Sequence, residues 1–151
     1  MNKNNFSASL FGVAFMAALL LCAPSVHATK QTIQRIISKD WFNKGYGFQM
    51  AEKHQEAIEA YSKAIEVNPK FAAAYCGRGL SYDGTGDHLR AIEDYNKALK
   101  LNPKFAAAYY YRGKSYATLD DNTRAIKDFK TAARLGEQNA RKFLKSENIP
   151  W

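Results

Sequence analysis

The sequence predicts an all-α solenoid of three helix hairpins closed by a C-terminal capping helix, and three observations predict it. First, the stretch Asn68-Pro69-Lys70-Phe71-Ala72-Ala73-Ala74-Tyr75 returns unchanged as Asn102-Pro103-Lys104-Phe105-Ala106-Ala107-Ala108-Tyr109, an offset of 34. Second, other positions keep the offset, among them Gly45, Gly79 and Gly113; Ala57, Ala91 and Ala125; and Tyr61, Tyr95 and Phe129. Third, each unit holds two stretches with apolar residues three and four apart, the spacing of amphipathic helices, separated by a break. A period of this length marks stacked units that bury their apolar faces only against their neighbours.

Composition agrees. The chain has 151 residues, of which 46% are hydrophobic and 24% charged, with 9 Gly and 4 Pro. That suits one packed domain and excludes a disordered chain. The 2 cysteines, Cys22 and Cys76, exclude a disulfide-rich scaffold.

At the N-terminus, Lys3 precedes an apolar run from Leu10 to Ala23, then Pro24 and the small-residue tripeptide Val26-His27-Ala28. This is the layout of a secretory signal peptide, so residues 1–28 are expected to be cleaved and the protein exported, periplasmic or secreted. The run is shorter than the ~18 apolar residues a spanning helix needs. Leu21 stands before Cys22 where a lipidation signal carries a small residue, so no lipid anchor is expected. Cys76 is then the one remaining thiol, and it reads as a small buried hydrophobe. Residues 29–37 form a lead-in, with Ile33, Ile36 and Ile37 as an N-terminal staple and Ser38 as a helix cap.

The units run over 38–71, 72–105 and 106–139. In the second, Tyr75, Gly79 and Tyr82 mark the first helix, and Ala91, Ile92, Tyr95, Ala98 and Leu99 the second. Between them Asp83-Gly84-Thr85-Gly86-Asp87 offers a glycine to end one helix and Asp87 to cap the next. Asp121 takes that place in the third unit, and Lys53, a poorer cap, in the first. Asn-Pro closes the first two units because proline cannot continue a helix but suits the start of another. Gly79 and Ala91 let paired backbones approach, with the rings of Tyr75 and Tyr95 filling the space around them. A larger side chain at Gly79 is expected to cost about 1 to 3 kcal/mol by overpacking. Residues 140–151 form a capping helix and tail, with Ala140, Phe143 and Leu144 on its apolar face. Ile149-Pro150-Trp151 is expected to fold back on it, with Trp151 packed against the helix.

These residues carry a resemblance. The spacing, with Tyr75-Cys76-Gly77-Arg78-Gly79 and Tyr109-Tyr110-Tyr111-Arg112-Gly113, is similar to the tetratricopeptide repeat (TPR), in particular the bacterial exported variant with Tyr-x-x-Arg-Gly. It covers about residues 38–146. The departures are Lys44-Gly45 for Arg-Gly in the first unit and Gly136-Glu137 where the others have Asn-Pro. The resemblance implies a superhelix of helix hairpins and a role in protein binding.

No nucleophile, base and orienter are spaced as a known catalytic motif requires, and there is no phosphate loop or zinc helix motif. The chain reads as a non-enzyme without cofactor, metal or catalytic residues. His54 and His88, 34 apart, read as solvated turn residues, too few ligands for a metal. The chain carries a net charge of +8. From Arg124 onward Lys127, Lys130, Arg134, Arg141, Lys142 and Lys145 make the C-terminal end positive, with Asp128 expected to pair with Arg124 on the helix surface. With Asp128, Glu137 and Glu147 among them these charges read first as a solvated face; the alternative is a patch for acidic partners or peripheral contact with an anionic membrane, and nucleic acid is disfavoured.

In the family, the first helices of successive repeats line a concave peptide groove. By position the resemblance places Lys39, Phe42, Tyr46, Gln49 and Met50 there from the first unit, Cys76, Leu80 and Asp83 from the second, and Tyr110, Lys114 and Ala117 from the third. Family members that grip chaperone tails use a clamp of Lys, Asn, Asn, Lys and Arg. The matching positions here hold Phe42, Tyr46, Gly77, Ala107 and Tyr111, so that function is not implied. The leading reading is an exported scaffold or adaptor whose groove binds a peptide segment of an envelope protein. The alternative is a structural solenoid that self-associates through its ends.

Overall fold

In a computed structural model the residues described are 23–151, and the expected export signal falls almost entirely outside them. Among the described residues the helices are α1 (Ala23–Met50), α2 (His54–Val67), α3 (Ala72–Gly84), α4 (His88–Leu101), α5 (Ala106–Thr118), α6 (Asn122–Arg134) and α7 (Gln138–Ser146). A first unit ends at Ile36 and a second spans Ile37–Trp151, and α1 runs through both.

The lead-in departs from expectation. Ser38 does not start a helix; it lies within α1 and is buried, while Ile33, Ile36 and Ile37 are exposed rather than stapled. Residues 25–44 contain neither glycine nor proline, and Pro24 sits in the first turn where its missing N–H costs nothing, so nothing stops the helix before the repeat begins.

Within the second unit each hairpin follows the same rule. α2 buries Ala57, Ile58, Ala60, Tyr61 and Ala64, α4 buries Ala91, Ile92, Asp94, Tyr95, Ala98 and Leu99, and α6 buries Ala125, Asp128, Phe129, Ala132 and Ala133. The glycine of each preceding helix faces the central ring. A Cβ at Gly45 or Gly79 would stand 2.8 Å from Tyr61 or Tyr95, and one at Gly113 would stand 2.9 Å from Phe129 and 3.2 Å from the Ala125 carbonyl oxygen. Tyr95 is fully buried and cannot yield. Gly79→Ala should therefore lower stability by about 1 to 3 kcal/mol, read as a lower melting temperature.

The turns repeat as well. Glu52, Gly86 and Asp120 occupy the same position and all take positive φ, 57°, 82° and 60°, a state that only the glycine enters without strain. Asp87 then caps α4 by accepting from the Arg90 backbone N–H at 3.1 Å, and Asp121 caps α6 through Arg124 at 3.0 Å, while Lys53 makes no such bond. Asn68 and Asn102 close the Asn-Pro corners by accepting from the backbone N–H of Lys70 and Lys104, each at 3.1 Å.

The backbone N–H groups of Arg90 and Arg124, then their guanidinium groups, hold the Asp87 and Asp121 carboxyls below their ordinary range. A folded-state pKa below the unfolded value gives stability that is present above the ordinary aspartate value of about 3.9 and lost as pH falls through the folded value. Thermal melts over that acid range should show the Asp87→Asn, Asp121→Asn variant losing less stability than wild type, because asparagine caps without titrating.

A polar network that the helix pattern does not single out ties one hairpin to the next. Arg78 forms a two-pronged bond to Asp94 of α4, at 2.7 and 2.8 Å, and donates to Ser62 of α2 at 3.0 Å. Arg112 repeats this with Asp128 of α6, at 2.7 and 2.8 Å, and with Asn96 of α4. Asp128 thus pairs with Arg112 and not, as expected, with Arg124, which pairs with Asp121. The first unit has Lys44 and Ala60 at these two places and forgoes the ion pair.

At the C-terminal end Glu137 caps α7 through Asn139, and Ala140 and Leu144 are buried in the core cluster that includes Phe129 and Ala133. The chain turns at Asn148 (φ 55°), and Ile149, whose N–H donates to the Leu144 carbonyl at 2.8 Å, packs on that cluster. Trp151 is 46% exposed, so Ile149 does the packing that was expected of the tryptophan.

Candidate functional site

The residues read as a groove lining lie on α1, α3 and α5 and fall into three fates. Lys39, Tyr46, Met50 and Lys114 are exposed, with Tyr46 at 54% and Met50 at 63%. Phe42, Leu80, Tyr110 and Ala117 are half-buried. Cys76, Gln49 and Asp83 are engaged inside the protein. Cys76 is only 4% exposed, in the core with Tyr75, Tyr95 and Leu99. Burial, followed by the Asp94 carboxylate, pushes its thiol up to about 12, so it is a packing residue and not a lining nucleophile.

Gln49 and Asp83 serve as acceptors for the central ring of each hairpin. The Tyr61 hydroxyl donates to Gln49 Oε1 at 2.8 Å, and the Tyr95 hydroxyl donates to Asp83 Oδ2 at 2.8 Å. Asp83 also faces the Ser115 hydroxyl of α5 at 2.8 and 2.9 Å and His88 Nδ1 at 2.8 Å. Burial first, and then the Asp83 carboxylate, drives the Tyr95 phenol far above its ordinary value. The histidines are therefore not solvated turn residues. His88 begins α4 bonded to Asp83, and His54 begins α2 with its ring packed on Gly84 and its Nδ1 buried without a hydrogen-bond partner.

The third hairpin breaks this pattern. Phe129 stands where the others have Tyr61 and Tyr95, and Ala117 where they have Gln49 and Asp83, so hydroxyl and acceptor vanish together. A cavity of about 280 Å³ opens there, lined by Tyr110, Lys114, Ala117, Thr118, Phe129 and Phe143. Phe143, expected on the apolar face of the capping helix, is 38% exposed at this cavity with its ring 4.7 Å from Phe129. A run of rings leads to it: Tyr95 stacks on Tyr111 (6.4 Å), Tyr111 meets Tyr110 edge-on (5.4 Å), and Tyr110 lies 5.8 Å from Phe129. Further along, Phe42 contacts Tyr61 at 5.5 Å and Phe71 at 5.0 Å. Of these six, the sequence reading placed Tyr110, Lys114 and Ala117 in the groove and did not include Thr118, Phe129 and Phe143. The signal was available in the paired loss of the tyrosine hydroxyl and its acceptor at one register.

Helix hairpins at a 34-residue period, with rings and lysines along their first helices, define a helical-repeat solenoid. The repeats are tetratricopeptide repeats: models of the tetratricopeptide repeat match residues 72–105 and 94–127, and a TPR repeat model matches 51–86. Such repeats are protein–protein interaction modules. Among curated protein sequences none matches the chain. Among solved structures, MamA is similar at 35% identity and a TM-score of 0.63, over 69% of this chain and 61% of that one. The chain thus spans about three fifths of the MamA chain. The Arabidopsis OM64 TPR domain is similar at 25% identity and a TM-score of 0.69, over 76% of this chain and 98% of that one. The first TPR of Spaghetti (RPAP3), solved with the HSP90 peptide SRMEEVD, is similar at 25% identity and a TM-score of 0.70, over 74% and 90%. At the clamp positions of this chain Gly77 is pressed against the Tyr61 ring and Tyr111 is stacked on Tyr95, so packing has taken the space a clamp would use.

Proposed function

We propose that the protein is a non-enzymatic, exported adaptor whose first helices bind a peptide segment of an envelope protein. The observation that carries this reading is the exposure of the first-helix positions: Tyr46, Met50, Lys39 and Lys114 are exposed, and Phe42, Leu80 and Tyr110 are half-exposed. Exposed rings with polar guides are the usual anchors of a binding surface. The peptide held by the Spaghetti (RPAP3) domain supports a peptide ligand as the class. The missing clamp argues for a partner recognised through apolar side chains rather than through a chaperone tail. The acid and the thiol read into the groove, Asp83 and Cys76, are committed to the fold. The layout of residues 1–28 supports export.

The test is capture from an envelope extract at physiological salt, with Tyr46→Glu, Leu80→Glu alongside wild type. A protein retained by wild type and depleted at least tenfold by the variant is the expected result, for a loss of about 1.4 kcal/mol or more. Equal capture by both, with equal melting temperatures, would sink the reading.

A further inference from the structure

We propose that the cavity at the third hairpin is an anchor pocket for one aromatic side chain of an acidic peptide segment, with Lys114 pairing with a carboxylate beside that ring; this rests on the groove reading above. Size comes first. The cavity of about 280 Å³ exceeds the roughly 150 Å³ apolar void that suffices for benzene, so a phenyl or indole ring fits. Its chemistry is aromatic, because the rings of Tyr110, Phe129 and Phe143 border it and would meet an entering ring at stacking or edge-on distances. Its floor is apolar by a specific replacement, since Ala117 and Phe129 lack the acceptor and hydroxyl that occupy the equivalent place in the first two hairpins.

Charge selects the rest of the partner. Lys114 replaces the Tyr46 and Leu80 of the other hairpins and has no carboxylate partner among the described residues. Glu137, the carboxylate whose field reaches Tyr110, accepts from the Asn139 N–H as the cap of α7 and forms no ion pair with Lys114. Asp128 and Asp121 are consumed by Arg112 and Arg124, while Lys127, Lys130, Lys142 and Lys145 keep this end positive. A second copy of the chain is disfavoured as occupant because each carries +8, and like charges oppose association.

The experiment measures binding of the full chain to a labelled decapeptide with one phenylalanine between two glutamates in a glycine–serine frame. Two controls replace the phenylalanine by alanine or the glutamates by lysines. Wild type should bind the first peptide at least tenfold more tightly than either control. Ala117→Gln with Phe129→Tyr installs the pair that the first hairpin already accommodates, fills the pocket and should weaken binding at least tenfold with the melting temperature held. If that variant fails to fold, Lys114→Leu, which copies Leu80, should erase the preference for glutamate over lysine and leave the preference for phenylalanine. Equal binding of the three peptides, no binding of any, or full binding by the filled pocket overturns the proposal. So does a dimer of wild type that the filled pocket abolishes, since the occupant would then be a second copy. Envelope capture that depends on Tyr46 and Leu80 but is unchanged in the filled-pocket variant would remove this inference and leave the groove reading standing.

Discussion

Replacing Arg112 by alanine should cost about 3 to 5 kcal/mol, because it leaves the Asp128 carboxylate buried with no counter-charge. Asp128 is only 4% exposed, and the same arginine also holds Asn96 of the preceding hairpin. The loss therefore falls on the contact between hairpins as well as within one. In a domain of this size it should appear as a fall in melting temperature on the order of 10 °C or more. The first hairpin has no carboxylate to strand: Ala60 stands at the aspartate's place and Lys44 at the arginine's. Arg112→Leu with Asp128→Ala should accordingly recover most of the loss, since removing both partners is far cheaper than stranding one. A double variant no more stable than Arg112→Ala would show that the ion pair itself, and not the stranded charge, stabilises the third hairpin.

Asp83→Leu should be nearly as damaging, on the order of 3 kcal/mol. It strands the Tyr95 hydroxyl, and an unsatisfied buried hydroxyl costs roughly 1 to 3 kcal/mol, while Ser115 loses its bond to α3 and keeps only the Tyr111 carbonyl of its own helix at 3.1 Å. Ser115 belongs to α5, so the change also loosens the third hairpin from the second. Asp83→Gln copies the residue of the first hairpin and should restore a substantial part by accepting from Tyr95. Urea midpoints read the difference, with an unchanged slope marking a change in stability and not in the extent of unfolding. A midpoint for Asp83→Leu within error of wild type would mean that the network adds nothing.

The hairpins were legible because repetition multiplies a weak signal. One Gly79 facing one Tyr95 is ambiguous, but Gly45 with Tyr61 and Gly113 with Phe129 at the same offset leave little else to pack. Asp87 and Asp121 were readable as caps for the same reason, since a cap is a local matter of one side chain and the next turn's N–H groups. The lead-in was misread because an isoleucine pattern before a serine looks like a start signal, whereas a helix already running has no reason to stop there. The histidines were misread because their position in a turn is local while their partners, Gly84 and Asp83, are brought by packing.

The repeat, its period and the hairpins with their turns are written into the order of residues, because these follow from nearest-neighbour chemistry along the chain. Which first-helix positions stay exposed depends instead on packing between helices. Cys76, Gln49 and Asp83 were read onto the same lining as Tyr46 and Lys114, yet the first three are claimed by residues of other helices. A helix face says where a side chain points, and only the packed neighbours say whether its hydrogen bonds and surface are already taken.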